Sequence, residues 1–197
     1  MSAYAYLLTT MAFFGSAFAS SEVVVGSMPS CPPTDPRSPA VTISKRAQQF
    51  QDWLIENGFD LTVLELPDST RSADDAARTL GCSKAQIIKS LVFRTDESRK
   101  PVLVLASGPN RVDEEKIARL SGSPVSKATP DFVKHVTGYS IGGVPPIGHP
   151  ERLTTFVDED LLKHDETWAA AGTPKAVFKI SGPLTEILGE HTVTSIH

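Results

Sequence analysis

The chain has 197 residues, of which 40% are hydrophobic and 21% charged, and its formal net charge is −4. This length accommodates one well-buried domain but not two of ordinary size. Proteins that coat long stretches of duplex carry a basic excess, because phosphate neutralisation supplies most of their affinity. The acidic balance therefore excludes a histone-like or repressor-like DNA-binding protein. It permits local contact between a few cations and one end of an RNA.

The residues that usually bind metals show no spacing typical of a metal site. Cys31 and Cys82 are far apart, and neither belongs to a Cys-x-x-Cys or Cys/His cluster. Neither a zinc site nor a disulfide framework is therefore predicted. The sequence also lacks a Gly-x-x-x-x-Gly-Lys phosphate-binding loop, which argues against ATP chemistry. We expect no metal and no cofactor.

Residues 1–40 differ in composition from the rest of the chain. Residues 11–19 are uncharged and end in Ala-Phe-Ala, a small-residue cleavage pattern, but the basic region that begins most export signals is missing. A proline-rich linker follows. Three interpretations remain: an export signal, a disordered extension, or sequence upstream of a start at Met28. Composition favours the last two, and therefore a cytoplasmic domain over residues 41–197 with no membrane segment.

The domain is predicted to mix strands and helices without regular alternation. Apolar residues at a spacing of three or four, bounded by Ser and Gly, predict helices over residues 44–58, 72–81, 112–120, within 127–136, and over 183–188. Alternating or continuous apolar runs predict strands over residues 61–66, 87–93, 101–106, 153–157 and 175–181. We predict an α/β (mixed α+β) fold, a curled mixed sheet or partial barrel with helices packed around it.

Lys89 is the first residue that indicates chemistry. It lies in the strand Ile-Ile-Lys-Ser-Leu-Val-Phe of residues 87–93, so its neighbours on both faces are largely apolar. An ammonium group buried there needs a partner or has a lowered pKa. Two interpretations stay open: a lysine whose head group reaches water at a sheet edge, or a cation directed into a cleft.

A glycine- and proline-rich loop over residues 137–149 is the second such feature. Its four glycines let the backbone approach a ligand closely, and its Pro-Pro pair restricts the path of the chain. Exposed N–H groups in such a loop stabilise a developing oxyanion, an effect worth about 3–4 kcal/mol per donor. A purely structural turn explains the same composition.

Together these features resemble the YbaK/prolyl-tRNA editing-domain family. The resemblance rests on the Ala-x-x-Leu-Gly helix end, the Ile-Ile-Lys-Ser-Leu strand and the later Gly-Tyr-x-x-Gly-Gly-x-x-Pro loop, and it covers residues 43–188. It implies a curled mixed sheet and hydrolysis of the ester in mischarged aminoacyl-tRNA without a metal. The implied partners are the acceptor end of a mischarged tRNA and an aminoacyl-tRNA synthetase.

The resemblance also implies site residues. Lys89 corresponds to the signature lysine that holds the terminal adenosine and ester region. Gly142 and Gly143 belong to the loop whose backbone faces the ester carbonyl, and the same loop places Tyr139, Val144, Pro145 and Pro146 against the substrate.

Three further residues have competing explanations. Ser72 corresponds to a small polar residue near the aminoacyl group, but it is equally suited to cap a helix. Asp158 corresponds to an acidic position near the pocket and is also a plausible N-cap. His149 directly follows the loop, where it binds the ribose, tunes a water molecule, or is simply a loop histidine.

No activated protein nucleophile is visible in the sequence. There is no Gly-x-Ser-x-Gly elbow and no Cys with a placed His, and Ser107 is a weak serine candidate at a strand end. This agrees with the implied mechanism, in which a ribose hydroxyl beside the ester assists attack by water. The alternatives are a non-catalytic module that binds aminoacyl-tRNA or a synthetase, and an esterase that uses Ser107.

Overall fold

The computed structural model describes residues 43–67 and 72–197. The predictions for residues 1–40 lie outside these residues. Within the described ranges, no helix has both the length and the apolar character needed to cross a membrane.

The described residues form five α-helices and eight strands. The helices are α1 (Lys45–Glu56), α2 (Ala73–Leu80), α3 (Glu114–Ser121), α4 (Pro130–Thr137) and α5 (Leu184–Ile187). The strands are β1 (Val63–Glu65), β2 (Ile88–Thr95), β3 (Pro101–Ser107), β4 (Val125–Lys127), β5 (Thr154–Asp158), β6 (Glu166–Ala170), β7 (Ala176–Ser181) and β8 (Thr192–Thr194). Two 3-10 helices span Lys84–Gln86 and Glu159–Lys163.

The strands build two sheets that meet at one bridge. The first sheet has the order β1-β7-β6 and is antiparallel throughout. The second has the order β4-β2-β3-β5-β8, with antiparallel pairs at the β4 end and parallel pairs at the β8 end. A parallel bridge joins Ile87, just before β2, to Trp168 of β6. This is the mixed α/β architecture with a curled sheet that the sequence predicts.

Strand β3 is the centre of the core. Its residues Val102 to Ala106 are at most 1% exposed, because helices and the other sheet cover both of its faces. Leu103 and Leu105 face the main core, which also contains Phe50, Leu54 and Phe178. The intervening side chains belong to a second cluster with Ile117 and Ile196. A third cluster packs α2 against β7 and the bridge between the sheets.

The helix ends follow the local signals in the sequence. Ser72 accepts a hydrogen bond from the Asp75 backbone at the start of α2, and Asp113 does the same for α3. Both helices stop at a glycine in the left-handed region, Gly81 with φ 68° and Gly122 with φ 72°. The boundaries therefore lie within a few residues of the predicted ones.

Three strands were not predicted. Strands β4 and β8 have three residues each and lie at the two edges of their sheet. Strand β6 contains the segment Glu-Thr-Trp-Ala-Ala, whose alanines have low strand propensity. β4 and β8 pair with the distant strands β2 and β5, which local sequence patterns do not report. β6 pairs with the neighbouring strand β7, so its weak strand propensity is the reason that it was missed.

Thr167 tests the cost of an unpaired hydroxyl in this core. It is 1% exposed, and its Oγ1 has no hydrogen-bond partner among the described residues. We expect Thr167→Val to raise the free energy of unfolding by about 1–3 kcal/mol, because it removes an unsatisfied polar atom and preserves the shape. Urea denaturation measures the change.

Thr137→Val is the matched control, since Thr137 is also buried but its hydroxyl donates to the Val133 carbonyl at 2.7 Å and accepts from the Tyr139 N–H at 3.0 Å. This substitution should destabilise the protein. Equal losses in both variants would contradict the prediction for Thr167.

Candidate active site

A cavity of about 270 Å³ opens where the two sheets meet. Its walls come from α2, the exposed edge of β2, the loop after α4, and strands β6 and β7. Most of its lining is apolar: Leu66, Ala73, Ala76, Ile87, Ile88, Leu91, Ile141, Val144, Trp168, Ala169, Ala170, Pro174 and Val177. Ser72, Lys89, Ser90 and Gly142 complete the lining. Four residues expected at the site, Ser72, Lys89, Gly142 and Val144, therefore share one cavity.

The edge of β2 is open along this cavity. Strand β4 pairs with β2 only at Phe93–Thr95, and the bridge to Trp168 lies at Ile87. No described strand pairs with this side of β2 between those two points. Lys89 lies within this interval and lines the cavity.

Lys89 is half-buried, and its ammonium donates a hydrogen bond to the backbone carbonyl of Asn110. Burial lowers the pKa of Lys89 below its ordinary value, and the nearby cations Lys84 and Arg111 lower it further. The carboxylate of Asp158 opposes this shift. The ammonium is therefore partly desolvated, and an anion or a carbonyl oxygen would be a favourable ligand there.

Gly142 and Gly143 differ in their surroundings. Gly142 is exposed, lines the cavity and has φ of +86°, which glycine adopts without strain. Gly143 is buried, and a Cβ there would lie 2.7 Å from the Cα of Thr173. Its N–H donates to the Ser140 carbonyl at 2.9 Å, and its carbonyl accepts from Gly172 N–H at 3.0 Å. The Gly143 backbone is thus engaged within the protein and anchors the loop against the segment before β7.

After Val144 the loop leaves this cavity. Val144 to Ile147 are buried, with Val144 and Ile147 also in the main core. Pro146 and His149 line a second, larger groove of about 570 Å³ on the other side of the loop. Pro145 lines neither cavity but accepts a hydrogen bond from His149.

Tyr139 and His149 support the base of the loop. The Arg46 guanidinium lies 4.7 Å from the centre of the Tyr139 ring, and His149 contacts the same ring edge-on at 6.4 Å. The Nε2 of His149 is 3.0 Å from the carbonyl oxygen of Pro145. Burial lowers the pKa of His149 to about 4, so this imidazole is neutral near pH 7 and its Nε2–H donates to Pro145. Both side chains lie outside the cavity that contains Lys89.

Ser72 and Asp158 both act as helix caps. Ser72 lines the cavity and also caps α2. Asp158 is fully buried and caps the 3-10 helix Glu159–Lys163 through the Asp160 N–H at 3.2 Å. Its other oxygen accepts from Ser107 N–H at 3.0 Å and from the Asn110 amide at 2.8 Å. Asp158 therefore does not line the cavity but lies behind Lys89.

Several cavity residues were missed from the sequence. Trp168 and Pro174 belong to β6 and to the turn before β7, and Ile141 is an exposed apolar side chain beside Gly142. Asn110, the partner of Lys89, is separated from it by 21 residues. Among these missed residues, Ile141 was the one that the local sequence indicated, as a large apolar residue beside Gly142 in the predicted loop. Ligand pockets are lined mainly by apolar side chains.

This chain matches a known protein family and is similar to two bacterial proteins. The pattern of the family described as "Aminoacyl-tRNA editing domain" matches residues 67–187. Uncharacterized protein YwhH of Bacillus subtilis is 30% identical over 132 residues, which cover 67% of this chain and 81% of YwhH. The "Putative Cys-tRNA(Pro)/Cys-tRNA(Cys) deacylase EbsC" of Enterococcus faecalis is 29% identical over 126 residues, 59% of this chain and 76% of that protein.

Larger proteins and solved structures extend the comparison. A proline--tRNA ligase of Limosilactobacillus fermentum is 35% identical over 94 residues, which make up 46% of this chain but only 16% of the ligase. The crystal structure of a "putative trans-editing enzyme for prolyl tRNA synthetase" superposes with a TM-score of 0.73 and 44% identity. That superposition covers 79% of this chain and 98% of the other.

Gly143→Ala should destabilise the protein by about 1–3 kcal/mol, because a methyl group there overlaps the backbone of Thr173. Gly189→Ala is the matched control, since a Cβ at Gly189 would have no heavy atom within 4 Å. Chemical denaturation of both variants checks the expectation. A Gly143→Ala variant as stable as the control would show that the loop does not need this close approach.

His149 should make the protein less stable in acid. Its pKa is about 4 in the folded protein against 6.5 in an exposed reference, so the unfolded chain takes up the proton first as the pH falls. Stability should decrease as pH falls from about 6.5 to 4, by about 3 kcal/mol from this residue.

His149→Gln retains an N–H donor for Pro145 but does not titrate. Its unfolding free energy should therefore depend less on pH in this interval, as measured by urea denaturation at several pH values. An unchanged pH dependence would contradict the assignment.

Proposed function

Because this chain belongs to the aminoacyl-tRNA editing domain family, we propose that it hydrolyses the ester bond of mischarged aminoacyl-tRNA as a free-standing, trans-acting deacylase. The observation that carries this proposal is the shared cavity, in which the Lys89 side chain and the Gly142 backbone line a largely apolar pocket. A cation and an accessible backbone are suited to the ester oxygens, and an apolar recess is suited to a small acyl group.

In the proposed mechanism Lys89 holds the substrate's ester region. An ammonium with one N–H on the Asn110 carbonyl has two more donors for a carbonyl or phosphate oxygen. The partly desolvated setting strengthens that attraction relative to water. The exposed, left-handed backbone at Gly142 lets the ester approach without a side chain in the way.

Water is the proposed nucleophile. It attacks the acyl carbon, the bond from that carbon to the ribose oxygen breaks, and the proton passes to the ribose oxygen with help from the neighbouring hydroxyl. The described residues that line the cavity include no imidazole, thiol or carboxylate, so Lys89 is the one ionisable side chain among them and the usual metal-ligating side chains are absent from them. The protein's contribution would be orientation and charge stabilisation.

The cavity is suited to a small acyl group. Its volume is about 270 Å³, and its apolar lining consists of Ala, Val, Ile, Leu, Pro and Trp residues. Such a pocket discriminates poorly between acyl groups that differ by one methylene, since each is worth only about 1–3 kcal/mol. We therefore propose Ala, Ser, Thr and Cys esters as the candidate substrates.

The named relatives support tRNA-Pro as the carrier. The Enterococcus faecalis protein is named for both Cys-tRNA(Pro) and Cys-tRNA(Cys), and the solved structure is described as a "putative trans-editing enzyme for prolyl tRNA synthetase". We propose that this chain acts on the acceptor end of such a tRNA, beside its synthetase, in the cytoplasm.

Two other functions use the same fold. A non-catalytic module that binds aminoacyl-tRNA or a synthetase would use the same cavity without turnover. An esterase based on Ser107 is less compatible with the geometry, because the Ser107 hydroxyl is buried and donates to the Ala85 carbonyl at 2.8 Å.

Deacylation assays with tRNA-Pro charged with Ala, Ser, Thr, Cys or Pro distinguish these functions. The wild-type protein should release at least one of the mismatched acyl groups. Lys89→Ala should lower kcat/KM by about 100–1000-fold, because it removes the charge that stabilises the ester oxygen.

Lys179→Ala serves as the matched control, since Lys179 is also a strand lysine but pairs with Glu166 and does not line the cavity. Release of no acyl group above the spontaneous rate would favour the binding module. Full activity of Lys89→Ala would remove Lys89 from the mechanism.

A further inference from the structure

The Lys89 ammonium is tied to a residue that the sequence patterns did not single out. Its hydrogen-bond acceptor is the backbone carbonyl of Asn110, which lies in the turn after β3. A backbone carbonyl usually moves with its turn, so a flexible turn would leave the ammonium free to swing. The hydrogen bonds of Asn110 restrain this turn.

Both the backbone and the side chain of Asn110 are bound. Its N–H donates to the Ser107 carbonyl at 3.0 Å, which closes the turn. Its side-chain amide nitrogen lies 2.8 Å from the Asp158 Oδ2 and 2.7 Å from the Asp160 Oδ2. Hydrogen bonds to charged acceptors are about twice as strong as neutral ones. Asn110 is therefore clamped between two carboxylates.

The carboxylates that form this clamp are fixed themselves. Asp158 is 0% exposed and accepts from two backbone N–H groups, those of Ser107 at 3.0 Å and Asp160 at 3.2 Å, besides the Asn110 amide. A buried carboxylate without such donors would be very costly. Asp160 is held from the solvent side by the ammonium of Lys163 at 2.6 Å.

Asp158 also acts on Lys89 through its charge. Lys84 and Arg111 both disfavour the charged form of Lys89, and Asp158 favours it. The buried carboxylate thus acts on Lys89 in two ways, through space by its charge and through Asn110 by a chain of hydrogen bonds.

We propose that Asn110 is a positioning residue for the deacylase, clamped by Asp158 and Asp160 so that its carbonyl fixes the direction of the Lys89 ammonium. One N–H of Lys89 is thereby committed, and the other two are directed toward the ester in the cavity. Asp158 then acts through Asn110 and not by touching the substrate. This inference rests on the proposed function, but its first test does not require any activity.

The first test measures the chemical reactivity of Lys89. Limiting acetic anhydride is added at several pH values, and mass spectrometry reports how fast each lysine is acetylated. Asn110→Ala keeps the backbone carbonyl but removes the side-chain amide that holds it in place, so the ammonium loses a fixed acceptor and is deprotonated more easily. We expect Lys89 to react about tenfold faster at pH 8 than in the wild type, because a hydrogen bond to a charged group is worth about that factor.

Two controls accompany this measurement. Lys179, which pairs with Glu166 in the other sheet, should react equally fast in both proteins and serves as the internal reference. Asn57→Ala removes an exposed asparagine whose amide bonds the Trp53 carbonyl at 2.8 Å, and it should leave Lys89 unchanged. If Asn110→Ala does not fold, as judged by circular dichroism, Asp160→Asn loosens the same clamp and should change Lys89 in the same direction.

The second test is a double-mutant cycle in deacylation. Asn110→Ala should reduce kcat/KM about tenfold in the wild-type background and have little further effect when Lys89 is already alanine, because the two residues act as one unit. Equal losses in both backgrounds would overturn the proposal, as would unchanged reactivity of Lys89. If Lys89 responds but the wild type deacylates nothing, the positioning role of Asn110 stands and the proposed function falls.

Discussion

The fold of the candidate site depends on one backbone contact, between Gly143 and the segment Gly172–Thr173. The Gly172 N–H donates to the Gly143 carbonyl at 3.0 Å, and there is no room for a Cβ at Gly143. This contact ties the glycine-rich loop to the turn that leads into β7. Without it, Gly142 and Val144 would not reach the cavity that β2 lines from the opposite side. A side chain of any size at position 143 is incompatible with that approach.

The opposite wall of the cavity is organised by charge. A lysine in an apolar strand is costly, and the protein lowers the cost with an open strand edge, a carbonyl acceptor at Asn110 and the buried carboxylate of Asp158. The nearby cations Lys84 and Arg111 oppose the charge on Lys89, although Lys84 is itself paired with Asp74 at 2.7 Å. Lys89 is the one charged residue in the described lining of the cavity, so a chain with a net charge of −4 still carries a cation there.

Membership of the aminoacyl-tRNA editing domain family explains why these two walls occur together. The cavity combines a half-buried cation with a side-chain-free backbone, and its described lining has no acid, imidazole or thiol. That composition is suited to reactions in which a group of the substrate assists catalysis. The protein then orients the substrate and stabilises the charge that develops during the reaction. Other residues of the same loop, Pro146 and His149, line the second groove. The loop therefore contributes to two separate concave surfaces.

Much of this protein was readable from local sequence. The cap at Ser72 and the glycine stops at Gly81 and Gly122 follow from interactions within about one helical turn, and the β2–β3 hairpin joins two neighbouring apolar runs. Lys89 and the glycine-rich loop were visible because a charge in an apolar strand and a cluster of glycines are unusual in themselves. Membership of the family was likewise predictable, since its motifs are short and continuous.

What only the tertiary structure decided is which of these features meet. The loop residues divide between the cavity, the core and a separate groove, and Asp158 lies behind Lys89. Strands β4 and β8, the bridge from Trp168 to Ile87 and the clamp on Asn110 all depend on segments far apart in the chain. Such contacts are determined by how the two sheets close on each other, and no pattern of neighbouring residues encodes that closure. Composition and spacing therefore identified the chemical groups, and packing determined which of them face the same cavity.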